Sequence, residues 1–343
     1  MPEILDPFVG DGYSLASLTA AINVLPNNYG RLNELDIAPF EGITTRTVIV
    51  ERVNGVLNLL PSKPVGAPGT TGIVEKGKLI NFNVPHIPHD DVVLPEEVQG
   101  VRAFGAASQA ETVANLLARK LQNARNKHGI TLEYLRWGMI KGIILDADGS
   151  TLVDLYTAFG ISAKTVDFVL GTAGTLVQAK CREVLRHIEK NLQGEVMQYV
   201  RCMVSPEFFD KLIGHAEVKV AYQYYASGQQ PLREDTRRSF PFAGIMFEEH
   251  VGEATTLDAA GASATRRFIA SGEGHAFPVG TMDTFKTYGA PADFNETVNT
   301  IGLPVYAKQE PRKFGRGWDV HSQSNPLPLC KRPEVLVKVH SSN

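Results

Sequence analysis

Cysteine is scarce in this chain of 343 residues: Cys181, Cys202 and Cys330 are far apart and form no Cys-x-x-Cys pair. That odd, scattered set excludes a disulfide framework and a structural zinc site, and points to a reducing compartment. Long apolar runs are also missing. No stretch approaches the roughly 18 residues of a bilayer-spanning helix. The opening M-P-E-I-L-D-P-F carries early acids and no basic region ahead of an apolar run, unlike a secretory signal. A soluble protein made in a cytoplasm is the expectation, with no membrane partner. Excess charge is lacking as well. A net charge of −3 and a pI near 6.3 do not mark nucleic acid as a principal ligand, since phosphate binding draws on clustered Lys and Arg.

Catalytic signatures are equally thin. No H-E-x-x-H or G-x-S-x-G occurs, and G-E-G-H (Gly272 to His275) lacks the Lys-Ser/Thr of a phosphate loop. The one dense group of metal-ligand types is V-P-H-I-P-H-D-D, with His86, His89, Asp90 and Asp91. His86 and His89 are three apart, so on an extended chain they face opposite sides. Pro85 and Pro88 keep the segment from becoming the helix that would bring them together. A strand end is the expected role, and a metal-dependent hydrolase using His86, His89 and Asp90 is the alternative. D-A-D-G-S (Asp146 to Ser150) has its glycine fourth rather than sixth, so it reads as a turn and not a calcium loop. Cys202, among Val200, Met203 and Val204, reads as core. Asp235 to Arg238, Arg266-Arg267, Lys76 and Lys78 read as solvated charges. No catalytic residue, metal or cofactor is expected.

What is present is an ordinary globular composition, 43% hydrophobic and 21% charged, long enough for about two domains. Residues 1–46 have one helical candidate, Leu15 to Val24, ended before Pro26. The remainder has too little apolar surface for a core of its own and reads as an arm lying on something else. Thr47 to Val53 is rich in β-branched residues, and Asn54-Gly55 is a tight-hairpin signal. Pro61 to Gly72, with three Pro and three Gly, reads as a mobile tip. Lys78 to Val84 then alternates, with Ile80, Phe82 and Val84 on one face and Leu79, Asn81 and Asn83 on the other. A two-stranded ribbon has no second layer to cover its apolar face, which is what an interlocking subunit would supply.

Ser108-Gln-Ala-Glu111 is a capping box. The helix it opens is expected to reach about Lys127 with Val113, Leu116, Leu117 and Leu121 on one stripe. Gly129 then interrupts it and Leu132 to Ile140 resumes as a second piece. Two short strands around Asp148-Gly149, a helix over Leu176 to Leu192, a buried strand over Met197 to Val204 and a helix opened by Ser205-Pro206 follow. Beyond Ala226 the pattern is mostly strand and loop, with a terminal strand over Glu334 to Val339. Neither internal repeats nor low-complexity segments occur.

Several segments, in order and across nearly the whole chain, resemble the lambda-type phage major capsid proteins, the phage capsid protein E family. They include L-T-A-A-I-N-V-L-P-N-N-Y-G-R-L, N-V-P-H-I-P-H-D-D-V-V-L-P-E-E-V-Q-G-V-R-A-F-G, V-S-P-E-F-F-D-K-L-I, F-A-G-I-M-F-E-E, A-F-P-V-G-T, Y-G-A-P-A-D-F-N-E-T-V-N-T-I-G-L-P-V-Y-A-K and S-N-P-L-P-L-C-K-R-P-E-V-L-V-K-V. The resemblance implies an α+β chain with the Hong Kong 97 phage capsid fold. It makes residues 1–46 the N-terminal arm and 47–92 an E-loop lying over a neighbouring subunit. Residues 93–195 become the peripheral domain with its spine helix, 196–300 the axial domain, and 301–343 the return through the peripheral domain. The candidate intersubunit tip is Val65, Gly66, Ala67, Pro68, Gly69, Thr70, Lys76 and Lys78. Neither lysine is marked for the crosslink made in the Hong Kong 97 phage itself. The implied role is the head protein of a tailed double-stranded DNA phage, forming hexamers and pentamers of an icosahedral shell. Implied partners are a separate scaffolding protein, a portal, a possible decoration protein, and packaged DNA held without sequence specificity. A tail-tube component is the other virion alternative.

Overall fold

A computed structural model describes residues 14–25, 30–52, 78–97, 113–228, 239–257 and 263–342. In chain order these form α1 (Leu15–Val24), α2 (Arg31–Glu34), β1 (Phe40–Gly42), β2 (Thr47–Arg52), β3 (Lys78–Asn83), β4 (Ile87–Val93) and α3 (Val113–Lys141). Next come β5 (Ile143–Leu145), β6 (Thr151–Asp154), α4 (Leu155–Phe159), β7 (Lys164–Asp167), α5 (Val177–Asn191), β8 (Tyr199–Val204), α6 (Pro206–Gly214) and α7 (Ala216–Gly228). Strands β9 (Ser239–Phe242), β10 (Ile245–Glu249), β11 (Glu253–Leu257), β12 (Ser263–Arg267) and β13 (Glu273–Val279) follow. The last are β14 (Phe285–Gly289), β15 (Tyr306–Pro311), β16 (Trp318–Ser324), β17 (Pro326–Cys330) and β18 (Val337–His340). No helix among the described residues is long and apolar enough to cross a membrane.

The chain divides into two compact units. The first comprises residues 1–48, 83–135 and 286–329. Its sheet β15-β16-β4 packs beneath α1 and the first turns of α3, and β1-β14-β17 forms a second small sheet. Helix α1 starts where the Ser14 hydroxyl accepts a hydrogen bond from the Ser17 N–H and ends at extended Leu25, before Pro26. Its Leu18 and Ile22 are buried with Leu116, Leu117, Leu121, Val305 and Val320. Thus α1 lies against later segments of its own unit. Ala38 and Leu32 are also buried, and Phe40–Gly42 pairs in parallel with β14. One apolar residue per turn suffices because a second surface within the unit meets it.

Helix α3 differs from expectation too: it is continuous over 29 residues and passes straight through Gly129. A helical glycine costs only about 1 kcal/mol relative to alanine. Buried Ala124, His128 and Leu135 flank it, and the Asn33 side-chain amide donates to the Gly129 carbonyl at 3.0 Å. The capping box at residues 108–111 lies outside the described residues.

The second unit comprises residues 49–82, 136–285 and 330–343. Its centre is a six-stranded sheet in the order β7-β18-β13-β8-β10-β9. Strand β8 runs parallel to β10 and antiparallel to β13. It is buried from Val200 to Val204, as a strand covered on both faces should be. Helix α5 buries Val177, Cys181, Val184 and Ile188, one stripe at helical spacing. In α6 the Ser205 hydroxyl accepts from the Phe208 N–H at 3.3 Å, and Pro206 occupies the first turn. Between β9 and β10, Ala243 and Gly244 both have positive φ, 48° and 87°, the geometry of a type I′ two-residue turn.

Each unit is drawn from three separate segments of the chain. Pairing explains this: β18, from the C-terminal segment, lies between β13 and β7 rather than beside β15 and β16. Residues 333–335 form a single 3₁₀ turn, so the last strand begins three residues later than expected.

Candidate functional site

The ribbon is formed by β2 and β3, which among the described residues pair with each other and with no other strand. Along β3 the alternation is realised: Ile80 and Phe82 are buried, while Leu79 is 64% exposed. Phe82 stacks on Phe159 with ring centroids 6.0 Å apart. Val50 is buried on β2, and Ile49 is 61% exposed. Val65, Gly66, Ala67, Pro68, Gly69, Thr70 and Lys76 lie outside the described residues, as does Asn54-Gly55; Lys78 is the first residue of β3. In α3, Leu116, Leu117 and Leu121 are buried, and Val113 is its first residue.

The His-Asp cluster lies on β4 and the turn before it, where its members engage separate partners. His86 Nδ1 donates to Asn325 Oδ1 at 2.9 Å. His89 Nε2 accepts from the Lys127 ammonium at 3.1 Å. Burial, and then the Lys127 charge, hold its pKa below the ordinary value. Asp90 binds His321 Nδ1 at 2.5 Å, and Asp91 pairs with Lys120 at 3.2 Å. Among the described residues no three His, Cys, Asp or Glu side chains converge as metal ligands would. This geometry gives the hydrolase alternative no site.

All three cysteines are buried thiols. Burial raises Cys181 to about 12 and pushes Cys202 and Cys330 up as well, which removes the thiolate a nucleophile needs. The calcium-like segment is the β5–β6 turn: Gly149 has φ +90°, Asp148 accepts from the Ser150 N–H, and Arg266 donates to the Asp148 carbonyl.

Two buried polar positions escaped the sequence reading. His128 on α3 lies between two hydroxyls, with Ser322 Oγ 3.2 Å from Nε2 and Ser324 Oγ 2.9 Å from Nδ1. The Ser322 hydroxyl donates to the His89 carbonyl, so it accepts from Nε2–H, and Nδ1 accepts from Ser324. That network holds a neutral ring, and burial lowers its pKa to about 4. Glu133, fully buried, accepts from the N–H groups of Leu32 and Asn33, both at 2.9 Å, and so caps the N-terminus of α2 from α3. Gly30 makes this possible. Its φ is +97°, and a Cβ there would stand 2.3 Å from the Glu133 carboxylate. No motif marks these residues, because their partners are about a hundred or more positions away.

An apolar groove of about 740 Å³ opens in the first unit between α1 and residues 296–306. Tyr306 shapes it: its hydroxyl accepts from the Leu303 N–H at 2.9 Å and donates to the Ile301 carbonyl at 3.4 Å. Asn23 ties α1 to the other wall through the Val305 carbonyl at 2.8 Å, leaving its buried Oδ1 without a hydrogen-bond partner.

Among the described residues the arrangement is one of packing surfaces and tied-down polar groups. Comparison with known proteins agrees. The sequence profile of phage major capsid protein E matches residues 14–341. A major capsid protein of Pseudomonas phage KPP10 is 31% identical over 97% of this chain and 98% of its own. One of Salmonella phage Felix O1 is 28% identical over 96% of each. The solved mature capsid of bacteriophage PhiM1 is similar over 100% of this chain and 92% of its own, at 15% identity and a TM-score of 0.53, and shows the Hong Kong 97 phage capsid fold. Matched from residue 14 to residue 341, the chain belongs to the phage major capsid protein E family.

Proposed function

We propose that the chain assembles with copies of itself into hexamers and pentamers of an icosahedral head, as the major capsid protein of a tailed double-stranded DNA phage. The co-linear family match over residues 14–341 carries this reading. In it, residues 1–46 are the N-terminal arm, 93–195 the peripheral domain with its spine helix, 196–300 the axial domain and 301–343 the return through the peripheral domain. Residues 47–92 act as the E-loop, with Val65 to Thr70, Lys76 and Lys78 at its intersubunit end. Assembly proceeds in the bacterial host cytoplasm around a separate scaffolding protein and a portal, and the inner face encloses DNA without reading its sequence. A decoration protein at local three-fold axes completes the list of partners.

The mechanism is association. Apolar surface removed from water contributes roughly 25 cal/mol per Å², and ordering costs keep each contact weak enough to be corrected. Symmetry then multiplies modest contacts into a closed shell. Packaging shifts the subunits to a thinner-walled, expanded arrangement, a change between two packings of one chain. Electron microscopy of the expressed protein, with and without its neighbouring genes, is the test. Closed isometric shells are expected; open tubes or persistent monomers would overturn the reading.

A further inference from the structure

The groove between α1 and residues 296–306 is open among the described residues, and the same unit carries a protrusion of matching chemistry. Beyond β15 the chain turns through Arg312 to Gly317 and re-enters as β16. This tip is ordered: the Arg312 N–H donates to the Gly317 carbonyl at 3.0 Å, and the Gly315 N–H to the Arg312 carbonyl at 3.1 Å. At its apex Phe314 is 89% exposed and has φ +64°, a backbone geometry that a bulky side chain rarely adopts. Among the described residues the Arg316 guanidinium lies 5.7 Å from the ring centroid. An outlier of this kind held at a surface apex is a reason to look for function there.

Groove and tip lie at opposite ends of β15. Tyr306 lines the groove, whereas the tip starts after Pro311, about 17 Å of extended strand away. Phe314 therefore cannot fold back into the groove of its own chain. We propose that the Phe314 tip of one copy seats in the α1/296–306 groove of a second copy. The lining is mostly apolar, with Ile301 and Leu303 66% and 43% exposed at the rim. Its one charged lining residue is Glu296, half-exposed and held by Lys308 at 2.8 Å. Lys313 and Arg316 on the tip bring cations to that carboxylate. Because knob and socket are different surfaces of one chain, the contact is head-to-tail, and it closes into a ring or continues as a lattice. This deepens the self-assembly reading and rests on it.

Oxidative crosslinking of the full chain tests the contact. The native cysteines are buried, so cysteines introduced by Phe314→Cys and Leu303→Cys are the reactive ones. The double variant is expected to give a ladder of covalent dimers, trimers and larger species. The two single variants mixed should give covalent dimers only, and each alone should give no covalent dimer. Phe314→Ser should leave circular dichroism and the melting midpoint unchanged while lowering assembled yield about tenfold, as loss of a central aromatic anchor does. No ladder, an intramolecular crosslink only, or efficient self-dimers of Phe314→Cys would each overturn the contact. Microscopy of the same samples separates the two ideas. Shells without a ladder sink the contact and keep the shell reading, and a ladder without shells does the reverse.

Discussion

Strands β8 and β3 are each six residues long and rich in apolar side chains, yet they sit in different surroundings. From Val200 to Val204 every residue of β8 is buried, with a partner strand on each side and side chains covering both faces. On β3, Ile80 and Phe82 are buried while Leu79, between Lys78 and Ile80, stands in solvent. The six-stranded sheet is completed by its own chain. Among the described residues the ribbon buries one face, and its other face carries the exposed Ile49 and Leu79. Folding energy is concentrated in the first region, and association surface is left over in the second.

The sharpest way to break this comparison is in the sheet. Phe277, fully buried on β13 and 6.4 Å from the Phe285 ring, should cost about 3–5 kcal/mol as Phe277→Ala. Urea unfolding measures it, and a loss below 1 kcal/mol would mean that the sheet is not the stability centre.

Acid should act on the sheet next. His275 on the same strand is buried and faced by Lys141 and Lys338; burial first, and then those charges, lower its pKa to about 3. The unfolded chain, near 6.5, therefore takes up the proton before the folded one does. Stability is complete above about pH 6.5 and falls as the pH drops towards 3, by at most on the order of 5 kcal/mol. His128, at about 4, adds loss of the same sign. Melting curves between pH 7 and pH 4 should show the decline, and a His275→Leu variant should flatten it. A decline of equal steepness in that variant would point to other groups.

Within the ribbon the two faces should diverge. Phe82→Ala removes a buried ring stacked on Phe159 and should cost about 3 kcal/mol. Leu79→Ser, three residues earlier, should stay within about 0.5 kcal/mol in unfolding and yet lower assembled yield. Deleting Val65 to Gly72 is expected to have the smallest effect on the melting midpoint and to impair shell formation. Normal heads from that deletion would remove the E-loop assignment.

Several elements were legible from local pattern. The α1 limits, the Ser205-Pro206 start of α6, the β5–β6 turn at Asp148-Gly149 and the two-faced alternation of β3 all follow from caps, turn residues and period. Other features were not. Gly129 looks like a helix break until Asn33 is seen on its carbonyl. Glu133 and His128 look like solvent-facing members of a helix until Leu32, Ser322 and Ser324 enclose them. Residues 14–46 read as an arm lying on something else, and what they lie on comes from positions far along the chain.

The sequence alone determined the family, the types of most described elements and the lack of catalytic motifs, because each rests on neighbours within a few residues or on the order of whole segments. Only the tertiary structure decided which strand lies beside which, which polar groups are caged, and which apolar faces remain uncovered. Those outcomes depend on pairings such as β18 with β7 or Asn23 with Val305, more than a hundred residues apart. Contacts over such distances are chosen by mutual burial and hydrogen-bond satisfaction, which no single stretch of the chain contains.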